Sequence, residues 1–242
     1  MILILSATKT EAADLLTRAA VIKKAKSSAG RSTYLCTHGN RTFKLIITGP
    51  GSINCAQALA GELEHNRFNL VLQTGTAGIF KETGLRLGDI GIAESETYIH
   101  TGVETPFSSF KHAPLPFDLI PENRASRTGF FYFKKTLVEK AFDILTDYFS
   151  DTACKITRGP FITVSVITAT KKSAKALYAV FSPCMEAMEG SAAAQVAALY
   201  NTDFLEIRAG SNPVGTRDKT RWDIPFASRR ACRAAAAVIE RF

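Results

Sequence analysis

The sequence offers little support for disulfides, metal sites or membrane segments. Its five cysteines are scattered and include no C-x-x-C pair, which argues against a disulfide framework or structural zinc and favours a reducing, cytoplasmic compartment. The four histidines have no metal-ligand spacing, so no metal is predicted. No apolar run approaches the roughly 20 residues that a membrane helix needs, and the amino-terminal segment lacks the basic region of a signal peptide. We therefore expect no membrane partner.

Positive charge is abundant but dispersed. The formal net charge is +8, which raises the question of nucleic-acid binding. Lysines and arginines form only short clusters, such as those within residues 23–26 and 229–230, and no aromatic-rich basic strand accompanies them. This distribution favours a solvated basic surface over a nucleic-acid interface, and it is compatible with a small anionic substrate.

Apolar runs alternate with amphipathic stretches along the chain. The 242 residues and the 46% hydrophobic content suit one globular domain. Six apolar runs predict β-strands at residues 2–6, 43–48, 70–74, 89–98, 161–168 and 204–211. Six amphipathic stretches predict helices at residues 9–20, 52–65, 135–149, 173–181, 190–200 and 223–241. This alternation predicts an α/β fold, with residues 1–242 as a single domain whose mixed, mostly parallel sheet has helices on both faces.

One long segment fits neither pattern. Residues 106–127 are irregular and include prolines and three phenylalanines, Phe107, Phe110 and Phe117. Irregular segments of this length inside a compact domain are usually functional. We interpret the segment as a surface excursion that closes a site or contacts a second subunit, with an intrachain hydrophobic flap as the alternative.

Polar or glycine-rich residues follow several predicted strands. Ligands of open α/β sheets bind beyond the carboxyl ends of the strands, so these residues are candidates for a site. They are Glu11, the Gly49-x-Gly51-x-x-Asn54 turn, residues 75–78 (GTAG), the Met188-Glu189-Gly190 run and Asn212.

Each candidate also has a purely structural explanation. Thr8 and Glu11 match a capping box, in which the glutamate only satisfies a backbone N–H. Glu189 suits the positive end of a helix dipole, and Asn212 before Pro213 is a common way to open a turn. A site is favoured because all the candidates fall at the same edge of one predicted sheet.

The order of these motifs resembles the nucleoside phosphorylase and nucleosidase family along most of the chain. The motifs that carry the resemblance are the Gly49-x-Gly51-x-x-Asn54 turn, residues 75–78, Met188-Glu189-Gly190 and residues 208–212 (RAGSN). Together with residues 217–218 (RD) and 222–225 (WDIP), they most resemble a branch that hydrolyses a 6-oxopurine nucleoside. The resemblance implies the fold of that family, a small-molecule nucleoside as ligand and no cofactor. It also implies a homodimer or larger homo-oligomer, in which a neighbouring chain closes the 5′ pocket.

The resemblance assigns roles to individual residues. Cleavage of an N-glycosidic bond to a purine creates an oxocarbenium-like sugar and negative charge on the departing base. Glu189 is assigned to the ribose hydroxyls, and Met188 is placed beneath the sugar as a polarizable contact. Glu11 is assigned to the attacking water as general base. The residues expected to line the sugar and purine pocket are Thr76, Ala77 and Gly78.

Asn212 bears on the identity of the leaving base. Adenine-releasing members of the family have aspartate at the matching position. A 6-oxopurine presents acceptors at O6 and N7, which suit the two N–H donors of an asparagine amide, whereas an ionised carboxylate would repel them. Asn212 therefore predicts hypoxanthine rather than adenine as the product, and it joins Glu11 as a predicted catalytic residue.

Gln73 favours hydrolysis over phosphorolysis. Phosphorolytic members of the family place an arginine at this position to hold phosphate, and an uncharged glutamine cannot balance a dianion. Glu11 would also repel phosphate, while it would activate water. The alternatives that remain are a purine nucleoside phosphorylase, an adenine-releasing nucleosidase and a non-catalytic purine-nucleoside-binding protein.

The base-stacking position departs from the family pattern. Adenine-releasing members stack the base on a phenylalanine after the strand predicted at residues 161–168, and residues 165–168 contain no aromatic. The backbone and aliphatic surface of Val166 and Ile167 are therefore the predicted purine contacts. The roles of His100 and Thr101 stay open.

Overall fold

A ten-stranded mixed sheet forms the centre of the molecule. The computed structural model describes residues 1–106, 108–122 and 127–242. The strands are β1 (Ile2–Ser6), β2 (Ala20–Lys26), β3 (Ser32–His38), β4 (Arg41–Ile47), β5 (Leu70–Ile79), β6 (Ile90–Tyr98), β7 (Val103–Thr105), β8 (Ser108–Ala113), β9 (Phe130–Tyr132), β10 (Ile156–Thr163), β11 (Met185–Ala187) and β12 (Phe204–Pro213). The α-helices are α1 (Lys9–Arg18), α2 (Ser52–His65), α3 (Lys135–Tyr148), α4 (Lys171–Phe181), α5 (Gly190–Leu199) and α6 (Ile224–Arg241). Strands β7 and β8 pair only with each other, as a separate two-stranded sheet.

The large sheet curls back on itself around β5. Its order is β11-β10-β6-β12-β5-β1-β4-β3-β2, and β9 pairs with β6. Strand β5 is parallel to β1 on one side and to β12 on the other. Because β11 also pairs with the end of β5, strands β5, β12, β6, β10 and β11 close a ring. The carboxyl ends of β1 and β5, the end of β12 and strand β11 therefore converge.

Alternate residues of the central strands face two different helical layers. Ile4 and Leu72 pack with the apolar faces of α1, α3 and α6. Leu3, Leu5 and Val71 point the other way, into a cluster with α2 and α5. All five side chains are fully buried, and burial of each contributes roughly 1.5–3 kcal/mol. The predicted fold class, a mixed α/β domain with helices on both faces, is confirmed.

The prediction for the strand at residues 161–168 was wrong in position. Strand β10 begins at Ile156 and ends at Thr163. The Gly159–Pro160 pair obscures the strand signal at its start, but a register shift against β6 at that point accommodates both residues. After Thr163 the chain leaves the strand, so Val166 and Ile167 lie on a loop.

The hairpin of β2 and β3 was not predicted. Every residue of β2 is exposed, so the strand lacks the apolar alternation on which a prediction depends. It occurs at the edge of the sheet, where its lysines protect the unpaired backbone from further strand pairing.

The predicted excursion at residues 106–127 includes β8, which packs near α4. Phe110 packs against a core cluster that includes Phe80 and Ile162, as expected for an intrachain flap. Phe117 is 58% exposed, whereas Phe107 lies outside the described residues. Within the described ranges, no helix combines the length and apolar character needed to cross a membrane.

Candidate functional site

A cleft of about 250 Å³ lies where the carboxyl ends of β1 and β5 meet β11 and β12. The residues that line it are Ala7, Thr8, Glu11, Pro50, Thr76, Ala77, Gly78, Val164, Ile167, Glu186, Ala187, Met188, Glu189, Arg208, Ser211, Asn212, Trp222 and Ile224. The sequence-predicted residues Glu11, Asn212, Thr76, Ala77, Gly78, Ile167, Met188 and Glu189 are thus brought together. Val166 is the exception, because it is not among the lining residues and its side chain is 75% exposed.

Glu11 belongs both to the helix cap and to the cleft. Its Oε2 accepts hydrogen bonds from the backbone N–H (3.2 Å) and the hydroxyl (3.1 Å) of Thr8, and the Thr8 hydroxyl in turn accepts from the N–H of Glu11. This is the predicted capping box. The other oxygen, Oε1, accepts from the N–H (2.9 Å) and hydroxyl (3.0 Å) of Thr76 on β5. The Glu11 carboxylate is therefore held between two strands: Oε2 bonds to Thr8, which follows β1, and Oε1 bonds to Thr76 on β5.

Gly75 is necessary for this arrangement. Its φ of +155° lies in a region that favours glycine, and a Cβ atom there would lie 2.7 Å from Glu11 Oε1 and 3.0 Å from Arg208 Nη1. The absence of a side chain at Gly75 lets these two charged groups approach the backbone of β5 from the cleft side.

Glu189 is held by the glycine turn and by a buried arginine. The N–H of Gly51 donates to Glu189 Oε1 at 2.8 Å, and Gly51 has a φ of +92°, which suits glycine. Arg208 Nη2 donates to Glu189 Oε2 at 3.0 Å. The Ser52 hydroxyl donates to the carbonyl of Met188 at 2.9 Å. The G-x-G turn and the Met-Glu-Gly run, which are far apart in sequence, thus form one unit beside the cleft.

Arg208 is the centre of a buried charge cluster. It is only 1% exposed, and its Nε donates to Glu206 Oε1 at 2.8 Å. Burial lowers the pKa of Arg208, but the carboxylates of Glu206, Glu189 and Glu11 outweigh this effect and raise the pKa overall. The guanidinium is therefore charged at all physiological pH values and is already neutralised by carboxylates.

Glu206 also lies next to a further buried carboxyl, that of Glu96. Glu206 and Glu96 are both fully buried, and Glu96 Oε2 accepts from the Thr163 hydroxyl at 2.8 Å. Burial, together with the nearby charge of Glu206, raises the pKa of Glu96 well above its usual value. Burial also raises the pKa of Glu206, against the opposing effect of Arg208.

Asn212 lies at the end of β12 with its amide oriented by Ser211. The Ser211 hydroxyl is 2.8 Å from Asn212 Oδ1 and 3.1 Å from the carbonyl of Ala77, so its single hydrogen faces two acceptors. Asn212 Nδ2 has a long contact of 3.4 Å with the carbonyl of Pro213. With Oδ1 engaged by Ser211, the NH₂ group is the end of the amide that has donor capacity left for a ligand.

Sequence reasoning assigned no role to several side chains that line the cleft, among them Trp222, Ile224 and Glu186. Trp222 supplies an aromatic ring; its Nε1–H donates to the carbonyl of Thr216 at 3.2 Å, and the guanidinium of Arg217 lies 4.8 Å from the ring centroid. Ile224 adds an apolar contact, and Glu186 adds a third carboxylate. The WDIP segment was noted as a family motif, but only the fold places it at the end of β12.

Cations are scarce in this cleft. Among the described residues that line it, Arg208 is the one with a positive charge, and it is paired with Glu206 and Glu189. Gln73 is fully buried, and its side-chain oxygen lies 3.4 Å from the Cys55 thiol. It is not among the lining residues.

A second cavity, of about 510 Å³, adjoins the first. It shares Pro50 and Met188 with the cleft and is also lined by Ile53, which is 87% exposed. The two cavities are therefore neighbours, and Pro50 and Met188 form part of the wall of each.

The sheet topology and the acidic cleft at its edge define a protein of the nucleoside phosphorylase fold. The family model described as the phosphorylase superfamily matches residues 1–242, and the chain belongs to this family.

Named relatives of the chain are nucleosidases. The chain is 27% identical over 197 residues to futalosine hydrolase of Thermus thermophilus, a match that covers 81% of each chain. It is 29% identical over 215 residues to a 5′-methylthioadenosine/S-adenosylhomocysteine nucleosidase of Listeria innocua, which covers 87% of this chain and 85% of the relative.

A solved structure supports the fold independently. The 5′-methylthioadenosine/S-adenosylhomocysteine nucleosidase of Neisseria meningitidis, in complex with methylthio-immucillin-A, superposes with a TM-score of 0.84 at 19% identity. The match covers 100% of this chain and 99% of that one.

Proposed function

We propose that this protein is a purine nucleosidase that hydrolyses the N-glycosidic bond of futalosine in the cytoplasm. The products are hypoxanthine and dehypoxanthine futalosine, and the reaction belongs to menaquinone biosynthesis. The observation that carries the proposal is the presence of Glu11, Glu189 and Asn212 in one cleft. The names of several relatives, which are futalosine hydrolases, support the choice of substrate.

Glu189 and Met188 hold the sugar in this proposal. Each oxygen of Glu189 accepts one hydrogen bond from the protein, which leaves lone pairs for the ribose hydroxyls. Arg208 and Gly51 fix the orientation of the carboxylate before the substrate arrives, so little ordering cost falls on the binding step. Met188 provides the apolar surface beneath the ring.

Glu11 activates the water. Its carboxylate is held by Thr8 and Thr76 rather than paired with a cation, so it can accept a proton as the water attacks the anomeric carbon. The residual positive charge on the oxocarbenium-like sugar is also stabilised by the surrounding carboxylates.

Asn212 and Trp222 receive the base. The Asn212 amide donates to O6 and N7 of a 6-oxopurine and stabilises the charge that develops as the base departs. Trp222 provides the aromatic surface that residues 165–168 lack. Ile167 lines the same cleft, and the remainder of the 5′ substituent extends past Met188 into the second cavity.

Phosphorolysis is disfavoured by the charges of the cleft. A phosphate dianion would meet the carboxylates of Glu11, Glu186 and Glu189, and the lining cation Arg208 is already engaged. Water carries no charge and faces no such repulsion.

Product analysis with four substrate conditions tests the proposal. Futalosine and inosine are incubated with the protein, each with and without phosphate, and base release is followed by chromatography. We expect hypoxanthine from futalosine at a rate independent of phosphate. Release only in the presence of phosphate identifies a phosphorylase, and binding without turnover identifies a non-catalytic protein. Faster turnover of the 6-amino analogue of futalosine, measured in a parallel incubation, identifies an adenine-releasing nucleosidase.

A further inference from the structure

Glu186 is a buried carboxylate in the cleft that the mechanism above does not use. It is 6% exposed, and it lies on the short strand β11. Its Oε1 accepts from the backbone N–H of Thr168 at 3.1 Å. Its Oε2 is buried and has no hydrogen-bond partner among the described residues. Burial raises the pKa of this carboxyl. A buried carboxylate oxygen without a donor is costly, so a ligand that supplies one would be bound selectively.

Glu186 and Asn212 flank the same residue of β5. In the sheet, Glu186 is the register partner of Gly78 on one side, and Asn212 is its partner on the other. Gly78 itself has no side chain, and a Cβ atom there would lie 2.8 Å from Val214 Cγ2 and 3.4 Å from Asn212 Nδ2. A hydrogen-bond acceptor and a hydrogen-bond donor therefore approach the cleft from β11 and β12, the two strands that flank this end of β5, at the same level along it.

This pair complements one edge of a 6-oxopurine. Along that edge the ring presents acceptors at N7 and O6 and then a donor at N1–H. We propose that Glu186 is a specificity-determining residue whose Oε2 accepts the N1–H of a 6-oxopurine while the Asn212 amide donates to O6 and N7; this rests on the proposed function. A 6-aminopurine has an acceptor at N1, which would leave Oε2 unpaired, and a donor at the 6-amino group, which would face the Asn212 NH₂ group. It is therefore rejected at both N1 and the 6-position.

The Glu186→Gln variant distinguishes a role in base recognition from a purely structural role. The amide oxygen can still accept from the Thr168 N–H, while the NH₂ group takes the place of the orphan Oε2. The cleft then offers a donor where a 6-oxopurine also has a donor. Such a mismatch lowers activity on the 6-oxo substrate and favours the N1 acceptor of the 6-amino analogue.

The test compares kcat/KM for futalosine and its 6-amino analogue in the parent protein and in Glu186→Gln. We expect the 6-oxo to 6-amino ratio to fall at least tenfold. Glu62→Gln is the matched control, because Glu62 is similarly buried (5% exposed) but pairs with Lys44 outside the cleft, and its ratio should not change. An unchanged ratio in Glu186→Gln overturns the role of Glu186 alone. A parent protein that hydrolyses neither substrate, or prefers the 6-amino one, overturns the proposed function and this inference together.

A ligand-side measurement keeps the inference testable if Glu186→Gln does not fold. Calorimetry on the parent protein compares hypoxanthine with 1-deazahypoxanthine, in which C–H replaces N1–H. We expect the deaza compound to bind at least tenfold more weakly. Equal affinities would contradict the assignment of Glu186 to N1–H.

Discussion

Glu96 and Glu206 lie together beside Gly190, and a side-chain hydrogen bond links the two carboxyl groups. Each also has one buried oxygen that bonds to no other group among the described residues. A Cβ atom at Gly190 would collide with both of these oxygens, Glu96 Oε1 and Glu206 Oε2. Two carboxylates that share a buried site cannot both ionise at low cost. The raised pKa of Glu96, caused first by burial and then by the charge of Glu206, is consistent with one proton being retained between them.

The first prediction concerns the pH dependence of stability. A carboxyl whose pKa is raised by folding binds its proton more tightly in the folded state. The stability that this group contributes is therefore fully present below the unfolded pKa of about 4.3 and is lost as the pH rises through the folded pKa. Glu96→Gln cannot ionise and should lose less stability over that range. Urea unfolding between about pH 5 and pH 8 measures the difference. The control Glu62→Gln breaks the ion pair with Lys44 and should be less stable throughout, but its curve should run parallel to that of the parent protein. A Glu96→Gln curve that also runs parallel to the parent would disprove the shared proton.

The second prediction separates the two roles of Glu11. Glu11→Gln should reduce the rate of hydrolysis about 10²-fold or more, because an amide cannot accept a proton from water. Thr8→Ala removes the cap hydroxyl and one of the four hydrogen bonds to the Glu11 carboxylate; it should cost about 1 kcal/mol of stability and reduce the rate much less than Glu11→Gln does. Rates are measured on futalosine, and stability by urea unfolding. If both variants lose stability and both keep the parent rate, Glu11 is only a helix cap.

The third prediction concerns Arg208. Arg208→Met leaves the buried Glu206 and Glu189 without their cation, which should destabilise the protein by about 3–5 kcal/mol. Arg241→Met breaks an exposed ion pair with Asp147 and should cost no more than about 1 kcal/mol. The free energies of unfolding at pH 7 provide the comparison. Equal effects would show that the buried cluster contributes no more than a surface pair.

The fourth prediction returns to Asn212. Asn212→Asp keeps the acceptor for the Ser211 hydroxyl but places a carboxylate against O6 and N7. Loss of the matched hydrogen bonds costs on the order of 1–3 kcal/mol, which is roughly a tenfold to hundredfold loss in turnover of futalosine at neutral pH. Activity toward the 6-amino analogue should rise relative to the 6-oxo substrate, and acidic pH should partly restore the 6-oxo reaction. An unchanged activity ratio would mean that Asn212 only opens the turn.

The fifth prediction is a homodimer or larger assembly. Ile53 is 87% exposed beside the second cavity, and Phe117 is 58% exposed on the excursion. A partner chain that covers such apolar side chains would close the space proposed for the 5′ substituent. Sedimentation should show a dimer or a larger species. A fully active monomer would rule out a partner chain as part of the site.

The sequence was sufficient to predict the elements with strong periodicity. Helix α2 was predicted with its observed bounds, Ser52–His65, and the central strands β1 and β5 begin where predicted. These elements pair a clear apolar pattern with turn residues at their ends. Strand β11 is three residues long and has no room for a pattern. It forms only because the end of β5 and strand β10 are there to pair with it.

The residues of the candidate site divide in the same way, into those that a sequence pattern predicts and those that only the fold brings together. The residues found from sequence, such as Glu11 and Asn212, follow predicted strands or carry a motif. Glu206 and Arg208 were missed as a pair, although two charges at alternate positions of a buried strand lie on one face and were a usable signal. Glu186 and Glu96 had no such signal, because their significance arises from contacts between distant segments that only the folded sheet brings together.

The central claim is that water, rather than phosphate, attacks the anomeric carbon of a 6-oxopurine nucleoside. Mass spectrometry of the sugar product, formed from futalosine in ¹⁸O-labelled water with phosphate present, tests it most directly. We expect free dehypoxanthine futalosine that carries one ¹⁸O atom, together with hypoxanthine. Formation of a sugar 1-phosphate, or recovery of intact substrate after prolonged incubation with correctly folded protein, would contradict the proposed hydrolysis.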